Sequence, residues 1–179
     1  MTLIAKDAIK RIATLLAKRG YRIVMPPPIN VRIFATRQGQ RLGPFLPFTD
    51  YIAVHELPDS ADGPTFERLH TATMAFAESQ MNVPRMLRYR VPNAVTIGVT
   101  DSAPSPTLSA AVGRARLRSR AQIGAQDSTY LLDLVAETLH GTAMKRTPIR
   151  HGGTTTTSVN PTNRVRRMME ELASELFGR

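Results

Sequence analysis

The stretch AVTIGVT, residues 94–100, constrains the fold more than any other in the chain. Its residues are mainly apolar and rich in β-branched side chains, and Pro92-Asn93 and Asp101-Ser102 bound it with turn formers, so it reads as a buried strand. A strand of this kind needs cover from other elements. Two amphipathic stretches supply it: residues 2–19 repeat Ile4, Ala8, Ile12 and Leu15-Leu16 at helical spacing, with Gly20 placed for a left-handed cap. Residues 65–80 do the same with Phe66, Leu69, Thr73 and Phe76. Helices alternating with buried strands give an α/β fold, a mixed central sheet flanked by helices.

Further strands are expected at residues 21–25, stopped by Pro26, Pro27 and Pro28, and at residues 31–35 and 51–57. Residues 83–91 are ambiguous between strand and loop, limited by Pro84 and Pro92. Ser105-Pro106 is an N-cap followed by proline at the first helical position, with Leu108, Ala111, Val112 and Ala115 facing inward. YLLDLV at residues 130–135 fits a strand, although YLLDLVAETLHG also fits a helix ended by Gly141. Residues 145–159, basic and Thr-rich around Gly152-Gly153, read as a flexible arm or exposed loop. Residues 160–179 form a C-terminal amphipathic helix opened by Asn160-Pro161, with Val165, Met168, Met169, Leu172, Leu176 and Phe177 on its apolar side. One core is expected for a chain of 179 residues.

Charge narrows the partner. Lys and Arg number 24 against 14 Asp and Glu, a net charge of +10 with pI about 11.0. Such a chain attracts polyanions, which makes nucleic acid the leading partner class and an acidic protein surface the alternative. Before Asp50 the only acid is Asp7; acids then gather at Asp50, Glu56, Asp59, Asp62, Glu67 and Glu78. Cysteine is absent, which removes disulfides, thiolate metal sites and cysteine nucleophiles. No apolar run reaches the length of about 20 residues that a membrane-spanning helix needs, so a soluble, cytoplasmic protein without a membrane partner is expected.

GRARLRSR places Arg114, Arg116, Arg118 and Arg120 at every second position. In an extended chain all four point one way and form a comb for phosphates. In a helix they split between two sides as a solvated girdle. Arg88 and Arg90 flank Tyr89, a second candidate for phosphate contact beside a stacking ring. With aromatics at 6% of the chain and no Trp, a single-strand stacking platform is poorly supported. Arg164, Arg166 and Arg167 open the last helix, where cations oppose the helix dipole, so they are expected to serve a partner or an acid elsewhere. The apolar row of that helix is long enough to dock an oligomer partner or to close the chain's own core.

No phosphate loop, dinucleotide fingerprint, zinc-protease helix or serine-hydrolase elbow is present. His55, His70, His140 and His151 are dispersed, and structural roles are expected for them. Asp50 and Glu56, flanking one strand, with Asp101 at the end of another, are the candidate Mg²⁺ ligands; Asp50 and Glu56 would also be the catalytic acids. Each acid also has a structural reading. Asp50 would close a turn, Asp101 cap a strand end and Asp133 pair with an arginine.

Helix, three strands, helix, strand, along residues 2–100, resembles in element order the restriction-endonuclease-like nuclease core. In that family an Asp is followed by an acidic-x-Lys triplet, the two acids holding metal and the Lys helping the attacking water. Asp50 and Glu56 would stand for the acids, but Pro58 occupies the position of the Lys, and both acids lie on one strand instead of two neighbouring ones. The resemblance therefore implies a catalytically silent relative that needs no cofactor, with Mg²⁺ required only by a nuclease or phosphodiesterase.

Overall fold

The computed structural model describes residues 3–39, 48–80, 91–113, 126–142, 148–151, 154–157 and 161–178. The elements run α1 (Ala5–Lys18), β1 (Arg22–Ile23), β2 (Ile33–Gly39), β3 (Phe48–Glu56), α2 (Gly63–Ser79), β4 (Val91–Thr100), α3 (Pro106–Gly113), β5 (Gln126–Asp133), β6 (Thr138–Gly141), β7 (Pro148–His151), β8 (Thr154–Thr157) and α4 (Pro161–Phe177).

Strands β1 to β6 form one mixed sheet in sequence order. β1, β2 and β3 make an antiparallel meander, β4 and β5 run parallel to β3, and β6 returns antiparallel to β5. Parallel neighbours need a crossover, and α2 and α3 supply the two. Because β3, β4 and β5 are covered on both faces, they read as apolar runs and not as alternation.

α1 and α4 cover one face. Ile12 and Leu16 of α1 and Met169 and Leu172 of α4 pack with Ile52, Val95, Ile97, Tyr130 and Leu132. α2 and α3 cover the other, where Phe66, Leu108 and Val112 meet Leu57 and Leu131, and Ala77 meets Phe34, Tyr51 and Ala94. Gly98 permits this second layer. A Cβ there would stand 2.6 Å from a Leu57 methyl and 3.1 Å from the Phe66 ring, so the bare strand lets both side chains lie against β4.

Local chemistry sets the boundaries. Gly20 ends α1 with φ of 79°, the expected left-handed cap. α2 starts two residues before the expected position, because the Asp62 carboxylate accepts the Thr65 N–H at 2.9 Å and caps it. Ser105 caps α3 as expected, its hydroxyl accepting from the Leu108 N–H. YLLDLVAETLHG is neither one strand nor one helix: β5 stops at Asp133, whose carboxylate accepts the Val135 and Ala136 N–H groups and turns the chain into β6.

The basic, Thr-rich stretch departs from the expected loop. Pro148–His151 and Thr154–Thr157 pair antiparallel, His151 opposite Thr154. Four β-branched threonines favour a strand, and Gly152-Gly153 is a connector of hairpin length. Val165, Met168, Met169, Leu172 and Leu176 are buried in the core, so the apolar row of the C-terminal helix closes this chain's own sheet. Among the described residues no helix is long and apolar enough to cross a membrane.

Candidate functional site

Asp50 is the third residue of β3, and strand alternation turns its side chain to the face shared by Ile52 and Val54, under α1 and α4. It is fully buried. Its Oδ1 accepts from Asn93 Nδ2 at 2.8 Å and its Oδ2 from the Tyr21 hydroxyl at 2.9 Å. Arg164 Nη2, from the first turn of α4, donates to both oxygens at 2.6 Å. The parallel register sets Asn93 directly beside Asp50, and the Arg164 guanidinium lies over the Phe48 ring, 4.0 Å from its centroid.

These contacts explain one another. A buried carboxylate requires charge and hydrogen-bond partners, and here four donor contacts occupy its acceptor positions. Burial opposes the charge of Arg164, yet the adjacent Asp50 outweighs it and raises the guanidinium's pKa. Burial, reinforced by the Asp50 charge, pushes the Tyr21 hydroxyl well above its ordinary value, so it stays a donor. The expected turn-closing role of Asp50 gives way to an internal staple that joins α4 to β3, β4 and the entry to β1. The dipole argument at the last helix is met at two positions: Arg164 serves this distant acid, and Arg166 serves Glu170 one turn on.

The candidate metal set does not converge. Asp50 and Glu56 lie six residues apart on one strand, a separation of about 20 Å at the usual rise, too far to share an ion. Glu56 pairs with Arg32 at 2.8 Å. Asp101 accepts the Ala5 N–H at 3.2 Å and so caps α1, not a strand end. Asp133 holds the β5–β6 turn by backbone hydrogen bonds, where an arginine partner was expected. Among the described residues no three His, Asp or Glu side chains gather as metal ligands.

On the other face, between α2 and the sheet, lies a constellation that no spacing announced. His70 Nε2 stands 3.0 Å from Asp127 Oδ2, and its Nδ1 stands 2.9 Å from the Thr96 hydroxyl. The residues come from α2, β5 and β4, so only the crossover topology brings them together. His55 of β3 is buried, and burial lowers its pKa to about 4, which keeps it neutral near pH 7.

Arg88, Arg90, Arg114, Arg116, Arg118 and Arg120 lie outside the described residues, but the strands they lead into do not. The chain leaves β2 at Gly39, the register partner of Phe48, and re-enters there. β4 begins at Val91 beside Phe48, and β5 begins at Gln126 beside Asn93. β6 runs antiparallel to β5 and the chain leaves it at Thr142, bonded to Thr129, toward the same edge. Residues 40–47, 81–90, 114–125 and 143–147 therefore all attach to one edge of the sheet. They contain Arg41; Arg85, Arg88 and Arg90; Arg114, Arg116, Arg118 and Arg120; and Lys145 and Arg146, which makes ten cations and no acid. The rest of the chain holds 14 cations and 14 acids, so these segments account for the whole net charge. Arg37, exposed near the end of β2, adds a described cation there. Glu56 and Asp133 lie at the opposite ends of their strands, with Asp101 just beyond β4.

No protein-family model, no curated protein and no solved structure matches the chain.

Proposed function

We propose that this chain is a non-catalytic module that binds nucleic acid at the sheet edge where β3, β4 and β5 begin. The observation that carries the reading is the confinement of the +10 charge to four segments attached to that one edge, beside a charge-balanced remainder. Scattered cations make a protein basic; cations concentrated in short acid-free segments are a composition that attracts a polyanion. The element order helix, three strands, helix, strand over residues 5–100 supports kinship with the restriction-endonuclease-like core, and Pro58 in place of its lysine supports a silent form. The separate engagement of Asp50, Glu56 and Asp101 agrees with binding without cleavage.

Counterion release tests the reading. Engagement of six to ten phosphates lowers affinity by about 10³- to 10⁵-fold between about 50 and 200 mM salt. The experiment is a salt series with labelled duplex DNA, single-stranded DNA and RNA, run with and without Mg²⁺ on gels that also reveal cleavage. Affinity that stays flat over this range refutes the proposal. Mg²⁺-dependent cleavage abolished by Glu56→Gln would return the chain to the nuclease class.

A further inference from the structure

The hairpin of β7 and β8 forms a sheet of its own, with no third strand among the described residues. Its register pairs are Pro148 with Thr157, Ile149 with Thr156, Arg150 with Thr155 and His151 with Thr154. Paired residues share a face and neighbours along a strand alternate, so Pro148, Arg150, Thr155 and Thr157 take one face and Ile149, His151, Thr154 and Thr156 the other. The chain leaves the large sheet at Thr142, bonded to Thr129 in the first half of β5, and returns at α4, whose Arg164 bonds Asp50 near the start of β3. Both roots of the hairpin therefore stand toward the end of the sheet where β3 and β5 begin. No acid interrupts residues 138–169, which hold Lys145, Arg146, Arg150, Arg164, Arg166 and Arg167. A polyanion is the partner that this charge admits.

We propose that the hairpin is a β-ribbon that enters the major groove of B-form DNA and reads base edges with the face that carries Arg150, Thr155 and Thr157. The inference rests on the nucleic-acid reading and deepens it, from attraction to phosphates to recognition of one kind of duplex. Dimensions agree. Four residues of strand span about 13 Å, and a groove about 12 Å wide and about 8.5 Å deep admits a two-stranded ribbon. Gly152 and Gly153, which join the strands, add no side chain to that width. The residue types agree as well: arginine donates to two acceptors of guanine, and threonine offers a hydroxyl that donates or accepts and a methyl that meets the thymine methyl. Two strands alone are marginally stable in water, and docking in a groove would order them. Duplex RNA excludes this mode, because its major groove is too deep and narrow for side chains to read. The ribbon therefore predicts DNA over RNA, which net charge alone does not.

The test compares the full chain with Arg150→Ala and with a variant in which residues 148–157 give way to a Gly-Ser linker. Short labelled duplexes of one sequence, as DNA and as RNA, are bound at fixed salt, and the bound DNA is methylated with dimethyl sulfate, which attacks guanine N7 in the major groove and adenine N3 in the minor groove. The wild type is expected to prefer DNA by at least about fivefold and to shield guanine N7 but not adenine N3. Arg150→Ala weakens DNA binding by about 5- to 150-fold. The linker variant keeps the wild-type urea midpoint, binds the two duplexes alike and leaves N7 open. Should a variant fail to fold, the wild type decides: equal affinity for both duplexes, or a bound complex with N7 open, overturns the ribbon. N7 shielding that survives in the folded linker variant overturns it too. Absence of salt-sensitive binding to either duplex overturns the nucleic-acid reading itself.

Discussion

Replacement of Arg164 by Met tests the claim that the buried network staples α4 to the sheet. The substitution leaves Asp50 fully buried with two neutral donors, Tyr21 and Asn93, and no countercharge. Removing one partner of a buried ion pair costs about 3–5 kcal/mol, mostly because the stranded charge remains desolvated. With a urea m-value of about 2 kcal/mol/M for a domain of this size, the unfolding midpoint falls by about 2 M. Tyr21→Phe removes one neutral donor to the same carboxylate and costs less, about 1.5–3 kcal/mol. The decisive comparison is a double-mutant cycle. In an Asp50→Asn background no buried charge is left to strand, so Arg164→Met costs about 2 kcal/mol less there than in the wild type. Urea unfolding followed by circular dichroism gives all four corners of the cycle. A midpoint shift below about 0.5 M for Arg164→Met, or additive effects of the two substitutions, refutes the staple.

His55 supplies a pH prediction. Its pKa is lowered from 6.5 to about 4 in the folded protein, so its contribution is complete above the unfolded value and is lost as pH falls from 6.5 through 4, to a total of about 3 kcal/mol; His55→Leu should remove that acid dependence from urea midpoints measured across the window. Gly98→Ala places a methyl 2.6 Å from Leu57 Cδ1 and is expected to destabilise by about 1–3 kcal/mol in the same assay, a neutral effect arguing against the packing described. Replacement of Arg114, Arg116, Arg118 and Arg120 by serine should lower the slope of log affinity against log salt by up to about 0.9 for each phosphate no longer neutralised, and an unchanged slope removes this segment from the interface.

What could be read before the fold was known depended on range. Local periodicity sufficed for α1, α2, β4 and α4, because an apolar stripe or run is written in neighbouring residues. The hairpin of β7 and β8 was hidden by composition: four successive threonines look like a low-complexity loop until their β-branching is weighed against the Gly-Gly connector. The candidate site was harder. Asp50 sits in PFTDYI and its partners lie 29, 43 and 114 residues away, so nothing around it signals a saturated carboxylate. The faint signal was at the other end, three arginines placed against the dipole at the start of α4. His70, Thr96 and Asp127 left no signal, because a parallel crossover, not spacing, joins them.

Each of the two polar constellations matches a strand acid with a basic side chain. Acids on strands near the basic edge would weaken polyanion binding if they stood uncompensated, since unlike charges within a Debye length of about 10 Å offset each other. Asp50 is withdrawn into the core and neutralised by a guanidinium that keeps its charge at every physiological pH. Asp127 faces the His70 imidazole instead, with Nε2 at 3.0 Å from its Oδ2. At the opposite edge no such compensation is uniform: Glu56 has Arg32, but Asp101 and Asp133 spend their carboxylates on backbone N–H groups that carry no full charge. At the end of the sheet where β3 and β5 begin, each of the two strand acids, Asp50 and Asp127, is thus matched by a basic side chain. On the proposed nucleic-acid reading, exchanging the arginine for a titratable partner at Asp50, as in Arg164→His, should give DNA affinity a pH dependence that the wild type lacks; a pH profile identical to the wild type would show that the charge of Asp50 does not reach the bound DNA.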